Sequence, residues 1–205
     1  MSNYTDFAID FPERCGDILR EGFKVASRLD REVTLLLMTA AAAFVIPFER
    51  LEPSRAHPSR DYANFGKTSR KLARALDRPY DTSELYLEGP GSWSFGDTGS
   101  LAVDPDQWPG FPAEPPSGTR LREMLTRLRN GLAHGNLYVR AKRQDEIDLL
   151  VFVSEVRDGD RQCTGYGYFA LPPESLHALL KSWLAFLEKY RISQSAAAGA
   201  LRAAV

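Results

Sequence analysis

The chain has 205 residues, 43% of them apolar and 26% charged, with a formal net charge of −1. That suits one soluble globular domain, residues 1–205, with a sizeable core, and it argues against a strongly basic, non-specific nucleic-acid binder, although a local basic patch stays open. The two cysteines, Cys15 and Cys163, are far apart and outside any Cys-x-x-Cys motif, which excludes a disulfide scaffold and points to a reducing, cytoplasmic setting.

The first residues, Met1 to Asp6, are polar and do not read as a secretory signal. Residues 11–51 read as two long helices or one bent one. Pro12 and Glu13 suit a first turn, and Cys15, Ile18, Leu19, Phe23 and Ala26 recur at helical spacing. Leu29, Val33, Leu36, Leu37, Ala40 and Phe44 continue the stripe, and Leu35 to Ile46 is apolar nearly all round, as in a buried helix. The run Val33–Phe48 is too short to span a bilayer and carries Thr34, Thr39 and Pro47, so no membrane partner is expected. Pro47 predicts a kink or an end.

After a break at Pro53, His57 and Pro58, residues 60–76 read as another helix. Lys67, Arg70, Lys71 and Arg74 form a basic stripe along it, either a solvated face or a track for RNA phosphates. Residues 78–118 hold seven prolines (79, 90, 105, 109, 112, 115, 116) and read as one long Pro/Gly-rich loop. Trp93, Phe95, Trp108 and Phe111 predict that it is docked, as a lid or over a dimer seam.

Residues 119–134 form the next helix, with Thr119 as N-cap and Leu121, Met124, Leu125, Leu128 and Leu132 as its buried stripe. The period then becomes alternating. Within 136–171, Leu137–Val139, Ile147–Val153 and Gly165–Leu171 read as three antiparallel strands, with a turn at Asp158-Gly159. Pro172-Pro173-Glu174 opens a last helix over 172–192, with Leu176, Leu179, Leu180, Trp183, Leu184 and Leu187 on one face, and 193–205 is an alanine-rich tail. The fold class is therefore mainly α, with a small antiparallel sheet before the C-terminal helix.

The chemistry concentrates in Arg129-Asn130-Gly131-Leu132-Ala133-His134-Gly135. An arginine stays charged at working pH, and a histidine exchanges protons near neutrality. The pair suits a phosphate on which charge grows while protons move. In a straight helix five residues turn through about 500°, leaving the two side chains about 140° apart. Either a break at Gly131 or Gly135 brings the imidazole round, or the partner groups come from a second subunit. Asn130 caps carbonyls or holds one tautomer of His134. The competing structural roles are an ion pair of Arg129 with Asp30 or Glu32, and a packing role for His134. No cofactor or metal is expected: there is no His-x-x-x-His and no Gly-x-x-x-x-Gly-Lys, and Gly89-Pro90-Gly91 is too short to cradle a phosphate. His57 reads as exposed and His177 as a packing or edge residue.

The run Leu128 to Asn136 resembles the signature of the HEPN superfamily (higher eukaryote and prokaryote nucleotide-binding domains), and the β segment and last helix resemble a plasmid-borne prokaryotic HEPN subfamily. The resemblance implies a helical bundle that dimerises with its two motifs facing across a cleft. It also implies a metal-independent endoribonuclease, as in toxin and defence systems, with a possible antitoxin protein as partner. Arg129, Asn130 and His134 occupy the positions of the family's arginine, following polar residue and histidine. Some toxin members carry a tyrosine two residues after the histidine that a partner enzyme adenylylates; here that position is Asn136. The alternatives are a HEPN module that binds RNA or a nucleotide without cutting it, and a protein-interaction domain.

Overall fold

A computed structural model describes residues 7–51, 73–88, 93–99, 104, 108, 111, 118–143 and 146–202. The chain divides into two compact units, one of Met1–Asp77 with Leu180–Val205, the other of Arg78–Leu179.

The first unit is helical. Helix α1 covers Phe7–Arg28 and α2 covers Glu32–Ala40. Pro12 does not open α1; the helix starts five residues earlier and carries the proline inside. Beyond Ala40 the chain widens into a π turn at Ala41–Val45 and resumes as α3, Ile46–Leu51. The cause is Pro47. It has no N–H for the carbonyl four residues back, at Ala43, and its ring would clash with that carbonyl. A π turn relieves the clash. The Ala43 oxygen, deprived of the usual donor at position 47, accepts a hydrogen bond from Trp183 Nε1 at 2.8 Å. Trp183 stacks between Phe44 (centroids 5.2 Å apart) and Phe186 (5.6 Å), and with Leu19, Leu36, Ala40, Phe48 and Leu180 these residues form the core. The segment predicted as apolar all round is not wholly enclosed: Met38 is exposed, as are Ile18, Val25 and Leu29.

The second unit is a four-stranded antiparallel sheet with a helix on one face. The strands are β1 (Ser94–Asp97), β2 (Leu137–Arg143), β3 (Glu146–Arg157) and β4 (Cys163–Leu171), in the order β1-β4-β3-β2. Helix α4, Leu121–His134, packs on β3 and β4. Its buried Leu121, Met124, Leu125 and Leu128 share the interior with Leu150, Phe152, Phe169 and Leu171. The opposite sheet face, with Leu149, Val151, Val153, Tyr168 and Ala170, is covered by Trp108 and Phe111. Trp108 stacks on Tyr166, and Phe111 meets Tyr168 edge-on at 5.0 Å.

The span expected as a bare loop, 78–118, therefore contributes a strand that the sequence pattern did not reveal. Four residues with Gly96 in the middle are too few for alternation to show. The span also holds a 3₁₀ turn at Tyr80–Thr82. Its ends meet: Tyr80 N–H donates to the Thr119 carbonyl and Leu121 N–H to the Arg78 carbonyl, around an antiparallel bridge of Pro79 with Arg120. Thr119 is thus engaged through its backbone, and the N-cap of α4 is Arg120, with no side-chain cap. The turn between β3 and β4 is longer than Asp158-Gly159 alone. Asp158 Oδ1 accepts from the N–H groups of Asp160 and Gln162, and the left-handed residue is Arg161 (φ 62°). The last helix, α5, covers Pro173–Arg202; residues up to Leu179 belong to the second unit and those from Leu180 to the first.

Candidate functional site

The motif lies in the last turns of α4. The helix forms because apolar residues recur at 121, 124, 125 and 128, and it stops because Gly135 takes the left-handed conformation (φ 70°, ψ 16°). There is no break at Gly131. That residue is buried in the helix against β3, where a Cβ would stand 2.8 Å from Phe152 Cβ and 3.2 Å from the Asn136 carbonyl. Gly131, and not Leu132, is the residue pressed to the sheet; Leu132 is half-buried. Just past the cap, the Asn136 carbonyl accepts the Val153 N–H at 2.9 Å, which pins the helix end to β3.

On this frame Arg129 and Asn130 are half-buried, and His134 is exposed in the last turn. Arg129 Nη1 donates to Asn130 Oδ1 at 2.7 Å. The asparagine therefore holds the guanidinium, in place of the expected carbonyl cap or histidine tautomer. Because α4 is unbroken, Arg129 and His134 keep an angular separation of about 140° around its axis. The bend that would have united them in one chain is absent. A half-buried guanidinium leaves one side of the helix, and an exposed imidazole leaves another.

A family model described as HEPN pEK499 p136 matches residues 1–194. The chain belongs to this HEPN family. No curated protein and no solved structure matches it.

In this HEPN protein the motif helix is held by a second arginine that sequence reasoning missed. Arg127 donates to the Gly96 carbonyl and to Asp97 Oδ1, and its guanidinium carbon lies 4.3 Å from the Phe95 ring centroid. Gly167 leaves the room, since a Cβ there would run into the guanidinium. Nothing local announces this contact, because its acceptors lie about thirty residues upstream. Gly131 did carry a signal: a glycine on the apolar stripe of a helix marks close approach of another backbone.

Of the HEPN protein's expected phosphate track, Lys67, Arg70 and Lys71 lie outside the described residues. Arg74 is exposed, in a helical turn at 73–76 of the first unit. Among the described residues no group of three His, Cys, Asp or Glu side chains could hold a metal ion, and no helix is long and apolar enough to cross a membrane.

Proposed function

We propose that this HEPN domain is a metal-independent endoribonuclease working as a homodimer, in a toxin or defence role, with an antitoxin protein as a further partner and the cytoplasm as its setting. The sheet is read as an insertion before the last helix of the HEPN bundle. The observation that carries the reading is the unbroken α4. It presents His134 to solvent and a half-buried Arg129 on different sides, which supports a reading in which two copies surround one phosphate.

The chemistry follows from those groups. One His134 imidazole takes the proton of an RNA 2′-hydroxyl as its oxygen attacks the adjacent phosphorus. The second, protonated, gives its proton to the departing 5′-oxygen as the P–O5′ bond breaks. Arg129, oriented by Asn130, holds the scissile phosphate and stabilises the charge that grows on its oxygens. A cyclic 2′,3′-phosphate and a 5′-hydroxyl result.

The test is cleavage of single-stranded RNA in excess chelator. Wild type cuts; His134→Ala is slower by about 10²–10⁴-fold, the usual cost of losing a general acid–base group. Arg129→Ala is also impaired, while retaining its fold by circular dichroism. RNA that is bound and left intact by wild type would assign a binding module instead. No RNA binding at all would assign a protein-interaction domain.

A further inference from the structure

The strand that leaves the motif is basic. β2 begins three residues after His134, and the Leu137 N–H bonds back to the Gly135 carbonyl, so it departs directly from the helix end. It carries Arg140 and Lys142, both exposed, ends in Arg143, and has no acidic residue. In the sheet order it is an edge, paired with β3 alone among the described strands. Its register slips on either side of Ala141, so Lys142 is the extra residue between the Ala141–Ile147 and Arg143–Glu146 pairs. Such bulges bend an edge and re-aim its side chains.

We propose that β2 is the backbone track for single-stranded RNA leaving the His134 cleft, with Arg140 and Lys142 on successive phosphates. This rests on the nuclease reading of His134. The occupant is an anion with repeating charge, because the strand offers cations at 140 and 142 and no carboxylate of its own. A single strand fits better than a duplex, since attack by the 2′-hydroxyl needs a sugar–phosphate free to swing into line with the leaving oxygen. A carboxylate that competes is Asp148 on β3. It accepts from Arg140 Nε at 3.2 Å and from Nη2 at 2.8 Å. That pair is solvent-exposed on the arginine side, so a phosphate can share or take over the guanidinium.

A basic edge has an ordinary use too, in keeping sheets from pairing edge to edge. The experiment separates the two. In a His134→Ala background, which leaves the RNA uncut, binding of a short fluorescein-labelled single-stranded RNA is followed by anisotropy across a salt series. Arg140→Gln with Lys142→Gln lowers the slope of log K against log salt by about 1.4, the value for two lost phosphate contacts, and weakens binding several-fold. Asp148→Asn tightens binding by taking a competing charge from beside Arg140, a result that a purely structural ion pair would not give. An unchanged slope in the double substitution, an unaltered affinity in Asp148→Asn, or no RNA binding in the His134→Ala parent overturns the track. Cleavage by the wild-type chain is scored in the same buffers, so a nuclease that ignores β2 is told apart from a chain that is no nuclease.

Discussion

Gly131 sits on Phe152 with no room for a methyl group: an added Cβ would be 2.8 Å from the phenylalanine Cβ and 3.1 Å from its Cα. Helix and strand touch backbone to backbone at the motif. Gly131→Ala should therefore destabilise the protein by about 1–3 kcal/mol, even though alanine favours helix by about 1 kcal/mol. Gly135→Ala meets open space and loses only through its positive φ, about 1 kcal/mol, and Gly135→Asn loses less. Urea melts of the three variants give the order, with Gly131→Ala the worst.

Arg127 and Gly167 form a second such pairing. Gly167→Ala drives a methyl group into the guanidinium that bonds Gly96 and Asp97. It should lower stability in the wild-type chain and cost almost nothing in an Arg127→Ala background. Stability measured over the four corners of that double-mutant cycle should show a coupling of about 0.5–3 kcal/mol. Asp97→Asn alone should cost under about 1 kcal/mol, because that carboxylate is exposed.

Trp183→Phe keeps the ring stack with Phe44 and Phe186 and removes the indole donor from Ala43. The buried Ala43 carbonyl, already without its usual donor at Pro47, then loses the indole donor as well. A loss of about 1–3 kcal/mol is expected in thermal or chemical unfolding. Restoring an N–H with Pro47→Ala in the same chain should recover part of it.

Burial pushes the Cys15 thiol up to about 11. The folded state thus disfavours the thiolate. The stability linked to this group is fully present below the unfolded thiol value of about 8.5 and drains away as pH rises toward about 11. Unfolding midpoints measured across that window should fall more steeply in wild type than in Cys15→Ser. Cys163, half-buried on β4, should react with a thiol reagent well before Cys15.

If two imidazoles act on one phosphate, mixing wild-type and His134→Ala chains after unfolding and refolding gives a non-linear loss. An equal mixture should retain about one quarter of the activity of the same total of wild type, because only wild-type pairs hold both histidines. Retention of one half would show that each chain works with its own histidine.

The helical stripes were legible because burial at 121, 124, 125 and 128 leaves an apolar record at 3.6-residue spacing, and β3 and β4 because their inward residues are large and apolar. The motif was legible as a set of residue types. Its geometry was not. Gly131 reads equally as a helix break or as a close contact, and only Phe152, twenty-one residues on, decides between them. β1 was hidden because a four-residue strand is defined by its partner, Gly167–Ala170, more than by itself. The π turn was half visible: Pro47 demanded a distortion, but the donor that makes it tolerable is 140 residues away.

The ends of the 78–118 span lie side by side at Pro79 and Arg120, so excising it would leave a gap that a few residues could close. The gap is short, yet β1, the Gly96 and Asp97 acceptors of Arg127, and Trp108 and Phe111 would go with the span. Leu149, Val151, Val153 and Tyr168 would then form a bare greasy plane, and a trimmed chain should come out of the cell as precipitate rather than as a smaller working protein.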